Sequence, residues 1–422
     1  MSASKNRIKP ENKCIVCGSE LSGPLFEMDD MPVGAQAMPD RDGLKEDKGI
    51  RLPLCRCPKC GLVQFDCEPP EYYKDAVRMV GLSETMKELR REDFRLLSDR
   101  YGKRGGKWLE CGCGNGDFLK VLSEPEFDVR IYGTENSRAF LAEARKKVPN
   151  AHLFGLFPDK SETDIPGAPF DVFLSFNFLE HQPDPTSMLK SLYRNLKDDG
   201  IGLITVPSFE YIIEEGRYYE LVRDHIGNYD MRSLEMLCTQ CGFETLEKEL
   251  IGIGDTIRIV VRKARSNGKT NNEAVGRDEL NRLPDEVSQT VSSAEPDYEI
   301  RVLRDDHERM SRSIQSFMDK LRAEGKTAAM WGAGHQGFTI ASTTALRDNV
   351  SYIIDSSPEK QGRFAPASHL PIVSPEDFVR SPADVIIISA PGYVKEIGAA
   401  IVKLCEGYGI RMPEVYSILE LG

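Results

Sequence analysis

The chain has 422 residues, of which 40% are hydrophobic and 29% charged, and a formal net charge of −12. At about 100–200 residues per domain this length predicts two to four domains, and an acidic chain without a Lys/Arg block argues against a nucleic-acid or membrane-surface partner. No apolar run approaches the roughly 18–20 residues of a transmembrane helix, and the first residues lack the apolar core of a signal peptide, so we expect a cytoplasmic protein that acts on a small molecule.

Cysteines are concentrated at the start of the chain, where six of the eleven fall within the first 67 residues. In a long cytosolic chain this argues against a disulfide framework. The pairs Cys14-x-x-Cys17 and Cys57-x-x-Cys60 are each followed by glycine, and such knuckles turn tightly enough to direct two sulfurs each at one tetrahedral zinc ion. Four thiolates would close the coordination shell, so the predicted zinc is structural. Reduced cysteines without a metal and a redox pair are the alternatives.

Two α/β patterns follow the cysteine-rich segment. In the first, the candidate strands are WLECG, VRIYGTE, DVFLSF, IGLITV and IRIVVR, and helical stretches alternate with them, which is typical of a doubly wound α/β domain. The second starts at TAAMWGAGHQG, after a polar stretch and a long predicted helix. We therefore predict a zinc-binding module (1–75), a doubly wound α/β domain with a Rossmann-like fold (76–263), a linker (264–300) and a second Rossmann-like domain (301–422).

The first α/β pattern opens with a glycine loop. WLECGCGNGDFL places Glu110, Gly112, Gly114 and Gly116 directly after an apolar strand and before a helix. The spacing differs from the dinucleotide pattern GxGxxG and instead follows the ExGxGxG pattern of class I methyltransferases. We therefore predict that residues 76–263 form a class I methyltransferase Rossmann-like domain. The glycines let the backbone approach the methionine part of S-adenosylmethionine. Glu110 is expected to shape the loop or to contact the cofactor's amino group.

Two later segments support the same cofactor. Glu135 ends the next strand, where a carboxylate can accept hydrogen bonds from both ribose hydroxyls. The turn from Asn177 to His181 falls at the carboxyl edge of the sheet, where ligands bind in such folds. The set predicts S-adenosylmethionine, with Asn177 as a further contact. NAD and a fold that no longer binds a cofactor are the alternatives.

A second glycine loop, MWGAGHQG, opens the second pattern, and the next strand ends in an aspartate. That order alone would indicate NAD. The continuation supplies two cations beside a helix N-terminus, which suits a phosphate group, so we favour a nucleotide or nucleotide sugar over NAD or a structural lid. The candidate substrate residues are Gly332, Gly334, Gly337, Asp355, Lys360 and Arg363.

The order of these motifs resembles a known family. A CxxC…CPKCGLVQ module, an ExGxGxG core, an EH pair, a DHI segment and a terminal WGAGxxG…KQGR domain are together similar to the bacterial C-methyltransferases that act on nucleotide-linked keto-deoxysugars. The resemblance covers nearly the whole chain. It implies that the terminal domain helps to hold a nucleotide sugar and that the active site lies between this domain and the cofactor domain.

The resemblance also implies catalytic residues. Catalysis in the family uses a histidine and nearby tyrosines, and His181 and His225 fall on the matching EH and DHI positions. Asp224 stands where the family commonly has Glu. The chain departs from the family at three positions where tyrosine is usual: Ala76, Arg78 and Val222. These departures bear on the substrate and on the methylated atom.

Carbon methylation requires that a proton leave a carbon beside a carbonyl group, and an imidazole with a pKa near the working pH suits this task. We therefore predict C-methylation of a keto-deoxysugar through an enolate, with His225 as the base, His181 as a positioning residue and Asp224 as a neighbour that could tune the base. The neighbouring Tyr218 and Tyr219 are predicted core residues. An O- or N-methyltransferase, which needs no enolate stabilisation, and a non-catalytic scaffold that binds S-adenosylmethionine are the alternatives.

Overall fold

The computed structural model describes residues 12–74, 83–264 and 298–421. Within these ranges the chain forms three sheets, and no helix combines the length and the apolar character of a membrane span. The departures from the family at Ala76 and Arg78, and most of the predicted linker, lie outside the described residues.

The cysteine-rich segment builds a small antiparallel sheet. Its strands are β1 (Phe26–Met31), β2 (Ile50–Arg56), β3 (Val63–Phe65) and, from much later in the chain, β9 (Gly227–Asn228), in the order β1-β2-β3-β9. The long gap between the two cysteine pairs therefore holds two strands and the segment that joins them. Because β9 pairs with β3, the module shares its sheet with the domain that follows.

The central domain is built on a seven-stranded sheet with the order β10-β11-β8-β7-β4-β5-β6. Only β11 runs antiparallel to its neighbours. The strands are β4 (Lys107–Cys111), β5 (Arg130–Thr134), β6 (His152–Phe154), β7 (Phe170–Phe176), β8 (Leu196–Pro207), β10 (Phe243–Ile251) and β11 (Thr256–Lys263). The five predicted strands are all present. The sequence pattern missed β6 and β10, because edge strands are short or expose a charged face to water.

Six helices cover this sheet: α1 (Glu84–Arg95), α2 (Asp117–Leu122), α3 (Arg138–Lys147), α4 (Pro185–Asn195), α5 (Phe209–Glu214) and α6 (Met231–Gln240). Five of them begin after a Ser or Asp whose side chain accepts an N–H group of the first turn, which is the favoured N-cap chemistry. The exception, α2, follows Gly116 at φ 81°, where an added Cβ would lie 2.9 Å from the Ala144 Cβ. The glycine loop thus presses α2 against α3.

The terminal domain has five parallel strands in the order β14-β13-β12-β15-β16. They are β12 (Ala328–Trp331), β13 (Ile353–Ile354), β14 (Ile372–Val373), β15 (Val385–Ile388) and β16 (Glu414–Ser417). The helices are α7 (Tyr298–Ala323), α8 (His335–Thr343), α9 (Leu346–Asn349), α10 (Pro375–Arg380) and α11 (Val394–Tyr408). This confirms the predicted second Rossmann-like domain. Its strand order reverses between β12 and β15, where such folds bind ligands.

One hydrophobic core joins the three parts. One buried cluster contains side chains from all three parts. Among its members that are at most 1% exposed are Leu52 and Phe65 of the small sheet, Leu303 and Ile314 of α7, and Phe338 of α8. The helix α7 thus packs between the terminal sheet and the cysteine-rich module. Burial of this apolar surface fixes the position of the central sheet's carboxyl edge, where the cofactor is predicted to bind, relative to the terminal sheet's carboxyl edge, where the substrate is predicted to bind.

Candidate active site and cysteine cluster

The first glycine loop requires a conformation that favours glycine. Gly112 has φ 73°, and an added Cβ would lie 2.7 Å from the ring of Phe178. Gly114 follows at φ 51°. A side chain at Gly112 would therefore be strained and would also displace Phe178, which follows the exposed Asn177 at the carboxyl end of β7. The loop and Asn177 form one edge, as predicted for the cofactor.

Glu135 directly follows the neighbouring strand β5 and lies at the same edge of the sheet. Its carboxylate accepts the N–H groups of Gly114 at 2.9 Å and of Ser137, the N-cap of α3, at 2.7 Å. The two bonds hold the carboxylate beside the glycine loop. This is the location from which the predicted contact with the ribose hydroxyls would be made.

Glu110 lies beneath the loop rather than at its surface. Its side chain is 2% exposed, and burial raises its pKa to about 8 against the opposing effect of the Arg90 guanidinium. Arg90 is itself buried and forms an ion pair with Asp93 at 2.7 Å. Of the two predicted roles, this placement favours shaping of the loop over contact with the cofactor's amino group.

Replacing Glu135 by Ala is expected to weaken binding of S-adenosylhomocysteine, used as a non-reacting probe, roughly ten- to a hundredfold. The reason is that a lost charged acceptor typically costs about 1.5–3 kcal/mol. Calorimetric titration measures the change, and Glu143→Ala, which removes an exposed carboxylate of α3, serves as the control. Equal affinity in the Glu135 variant and the wild type would contradict the placement of the ribose at this strand end.

Two histidines meet next to the cofactor edge. His181 lies in the short 3₁₀ turn Leu179–His181, where it is buried, and its Nδ1 donates to the carbonyl oxygen of Asp224 at 2.8 Å. Its ring centroid lies 4.8 Å from that of His225 in an edge-to-face arrangement. The fixed Nδ1–H leaves Nε2 of His181 as an acceptor, so the turn both orients His181 and holds the backbone that carries His225.

Burial lowers the pKa of His225 well below its ordinary value, and the neighbouring His181 and His335 add to this effect. The imidazole is therefore neutral near pH 7. A neutral imidazole can accept a proton, which is the property that the predicted base requires.

Asp224 does not turn its carboxylate toward His225. One oxygen accepts the N–H of Ala35 at 2.7 Å, and the other accepts the hydroxyl of Tyr72 at 2.7 Å. Both partners belong to the cysteine-rich module. The Asp224 carboxylate therefore does not contact His225. It instead holds the segment that carries His225 against the cysteine-rich module. Gly34 is also required there, since an added Cβ would lie 2.2 Å from the Tyr72 hydroxyl.

A third histidine comes from the terminal domain. His335, the first residue of α8, has its ring centroid 6.4 Å from that of His225. Its Nε2 lies 3.2 Å from the Glu220 carboxylate, which also accepts a hydrogen bond from Gln336 at 2.6 Å. Three of the chain's six histidines thus meet between the two domains. The sequence singled out the glycines of this loop but offered no signal for His335, Glu220 or Tyr72.

The predicted substrate residues of the terminal domain lie around the carboxyl ends of β12 and β13 and the start of α8, except for Arg363, which faces the cysteine-rich module. Gly332 and Asp355 lie at the carboxyl ends of adjacent strands, and Lys360 donates to Asp355 at 3.2 Å and to the Ala333 carbonyl at 2.8 Å. Gly334 caps α8 and Gly337 lies in its first turn. Arg363 is half-exposed and faces Asp40 of the cysteine-rich module at 3.8 Å. The structure thus pairs both predicted cations with carboxylates, and their contact with a phosphate stays a prediction.

The four cysteines of the two pairs converge on one point. Their Sγ atoms all lie within 4.8 Å of one another, with 3.4 Å between Cys14 and Cys60 and between Cys17 and Cys57. These separations exceed the roughly 2.05 Å of a disulfide bond. They are close to the roughly 3.8 Å expected between sulfurs around a tetrahedral ion with Zn–S bonds of about 2.3 Å. The cluster is therefore compatible with zinc.

Comparison with known proteins agrees with this architecture. Residues 83–248 match the family described as a methyltransferase domain, and residues 253–410 match the C-methyltransferase C-terminal domain. The protein is an S-adenosylmethionine-dependent methyltransferase. The second match begins inside the central sheet, before β11, rather than at the predicted linker.

Among the relatives of this enzyme is the C-methyltransferase NovU of Streptomyces niveus, which is 21% identical over 92% of both chains. A probable S-adenosylmethionine-dependent methyltransferase of Mycolicibacterium smegmatis is 25% identical over 44% of this chain and 70% of its own length. The family matches and the near full-length relative together support a C-methyltransferase family.

Solved structures resemble parts of the enzyme. The PH0226 protein of Pyrococcus horikoshii OT3 aligns with 46% of this chain and 98% of its own, at 18% identity and a TM-score of 0.37. An S-adenosylmethionine-dependent methyltransferase of Clostridium acetobutylicum ATCC 824 aligns with 42% of this chain and 92% of its own, at 15% identity and a TM-score of 0.33.

Proposed function

We propose that the enzyme methylates a carbon atom of a nucleotide-linked keto-deoxysugar through an enolate, with His225 as the base. The observation that carries this proposal is the position of His225. It lies between His181, at the edge predicted to bind the cofactor, and His335, at the ligand edge of the terminal domain. The similarity to a C-methyltransferase over 92% of both chains supports carbon as the acceptor.

S-adenosylmethionine supplies an electrophilic methyl group when bound. The protein's own residues must then position the acceptor carbon and remove a proton from it. The neutral His225 ring takes the proton. His181, fixed by its bond to the Asp224 carbonyl, packs against the His225 ring and keeps its orientation.

We assign the nucleotide part of the substrate to the terminal domain. Gly332 and Ser389 lie at its switch point, where the Ser389 hydroxyl donates to the Gly332 carbonyl at 2.8 Å. An added Cβ at Gly337 would meet both of these residues. Gly337 therefore lets α8 pack closely against the ends of β12 and β15. An added Cβ at Gly334, the N-cap of α8, would meet nothing within 4 Å, so the backbone there is open to close approach by a ligand.

Oxygen or nitrogen methylation is the second candidate, and Val222 favours it. This buried apolar residue occupies a position where the similar family has tyrosine, and it lines the cleft beside His335. The neighbouring Tyr218 and Tyr219 do not replace it, because both are buried in the core and Tyr218 bonds with the Thr343 hydroxyl at 3.2 Å. Transfer to a hydroxyl or amine needs a base but no enolate stabilisation.

The two candidates differ in the bond that is formed. The enzyme is incubated with methyl-labelled S-adenosylmethionine and a panel of nucleotide-linked 4-keto sugars. With a 13C-methyl label, we expect a product whose methyl carbon shows the chemical shift and the coupling of a group bound to a ring carbon. We also expect the acceptor carbon to exchange its proton with deuterated solvent before methyl transfer. A methyl carbon with the shift of an O-methyl or N-methyl group, without exchange at carbon, would favour the second candidate.

We also propose that Cys14, Cys17, Cys57 and Cys60 hold one structural zinc ion. Support comes from the matching geometry of the two knuckles. In each, the glycine that follows the pair donates its N–H to the carbonyl of the first cysteine at 3.0 Å. Backbone N–H groups also approach the sulfurs of Cys14 and Cys57, at 3.4 and 3.5 Å. Four sulfurs leave no open coordination position, so this ion would support folding rather than catalysis.

A further inference from the structure

A narrow cleft separates the central domain from the terminal domain. Ala35 of the cysteine-rich module, Val222 and Arg223 of the central domain, and His335 and Thr339 of α8 line it. The guanidinium of Arg223 is engaged, because it donates to three backbone carbonyls of the cysteine-rich module. Two lining side chains can therefore still offer a polar atom to a ligand: His335, and Thr339, whose buried hydroxyl has no hydrogen-bond partner among the described residues.

The polar character of His335 is set from the opposite wall of the cleft. Glu220 lies in the 3₁₀ turn Tyr218–Glu220 of the central domain, and its carboxylate faces Nε2 of His335 at 3.2 Å. A carboxylate accepts hydrogen bonds but cannot donate them, so this contact places a proton on Nε2, and in the neutral form of the ring Nδ1 is then the acceptor. Gln336 donates to the other carboxylate oxygen and fixes the orientation of Glu220.

We propose that His335, oriented by Glu220, binds a hydroxyl or ammonium group of the substrate and so selects among acceptor sugars. This role of His335 rests on the proposed function, because it assumes that the reacting carbon of the substrate lies at His225. The ring centroids of His335 and His225 are 6.4 Å apart, so two substituents of one sugar ring can meet the two imidazoles. The His335 side chain is 39% exposed, so a ligand can reach it from solvent.

The pair also has a purely structural interpretation, in which it merely holds the two domains together. The chain offers a matched control for that interpretation. His369 is also 39% exposed, lies in the terminal domain, and pairs with a carboxylate of another part of the chain, Asp47, at 3.0 Å. It is not among the residues that line the cleft. A variant at His369 therefore removes an equivalent contact between parts of the chain without touching the cleft.

The test compares two ligands that differ by one hydroxyl group. The affinities of a nucleotide-linked 4-keto sugar with a hydroxyl beside the reacting carbon, and of the analogue that lacks this hydroxyl, are measured by calorimetry with S-adenosylhomocysteine present. We expect His335→Ala to lose about ten- to a hundredfold in affinity for the hydroxyl sugar and to bind the deoxy analogue like the wild type. Glu220→Gln should show the same preference in weaker form, and His369→Ala should change neither affinity. An equal loss for both sugars, or no loss, would overturn the proposal.

Failure of the proposed substrate class gives a different result, because the wild type would then bind neither sugar. The His335–Glu220 pair can still be judged without a substrate. In protein labelled with [15N]histidine, the signal that His335→Ala removes should show the form protonated at Nε2, and Glu220→Gln should convert it to a mixture of tautomers. A His335 signal protonated at Nδ1 in the wild type would overturn the proposal whatever the substrate is.

Discussion

Replacing Cys14 or Cys60 by Ser is expected to abolish binding of the proposed zinc ion and to reduce the yield of soluble enzyme severely. A structural zinc site contributes apparent free energies of about 10–16 kcal/mol to folding in small zinc modules. This module also stabilises its neighbours, because β3 pairs with β9, which begins two residues after His225. Loss of the metal should therefore disorder the segment that carries the base, and any soluble fraction should have little activity.

Metal analysis of the purified, reduced wild type should give about one zinc per chain, and thermal unfolding should occur at a lower temperature in the two variants. Cys405→Ser is the matched control, because Cys405 is also buried but lies on α11 in the terminal domain. That variant should keep its zinc. Absence of metal from freshly purified wild type would refute the zinc assignment, while the methyltransferase assignment, which rests on the glycine loop and the family matches, would stand.

His225→Ala is expected to lower turnover by about 10²–10⁴-fold while leaving the binding of both ligands nearly intact, because a general base acts on the chemical step rather than on binding. Steady-state kinetics measures the loss in kcat, and calorimetry with S-adenosylhomocysteine measures cofactor binding. Added imidazole should restore part of the activity to this variant. His369→Ala, which removes a histidine outside the cleft, is the control and should keep full turnover.

The lowered pKa of His225 also predicts how kcat/KM depends on pH. Burial favours the neutral form of His225 and lowers its pKa well below the ordinary value of about 6.5. The base is then active at and above neutral pH and is lost when the pH falls through the lowered pKa. We expect kcat/KM to stay constant near pH 7 and to decline on the acid side only well below pH 6.5. A decline centred at or above pH 6.5 would show that another group is the base.

Much of the fold follows from local patterns. The parallel strand β7 and the second half of β8, from Ile201 to Val206, are buried on both faces and appear in the sequence as largely apolar runs. In the edge strand β10, charged residues interrupt the apolar ones, so the sequence pattern did not predict this strand. The predicted boundary after residue 75 divides the chain where the sequence changes character, but the small sheet takes its fourth strand from beyond that boundary.

The sequence by itself determined the chemistry that depends on short spacings. A CxxCG knuckle turns back on itself within five residues, and an ExGxGxG loop joins one strand to one helix, so each can be recognised from neighbouring residues. These patterns predicted both the four cysteines that converge and the glycine edge beside Glu135. They also placed His225 and His181 on motif positions of the similar family.

Only the tertiary structure decided what surrounds the base. Asp224 bonds to Ala35 and Tyr72, which are 189 and 152 residues away, and Glu220 pairs with His335 across 115 residues. No local periodicity encodes such contacts. They exist because β9 completes the sheet of the cysteine-rich module and because α7 and α8 share one hydrophobic core with it. Burial of that common apolar surface, rather than any motif, brings three histidines from two domains next to one another.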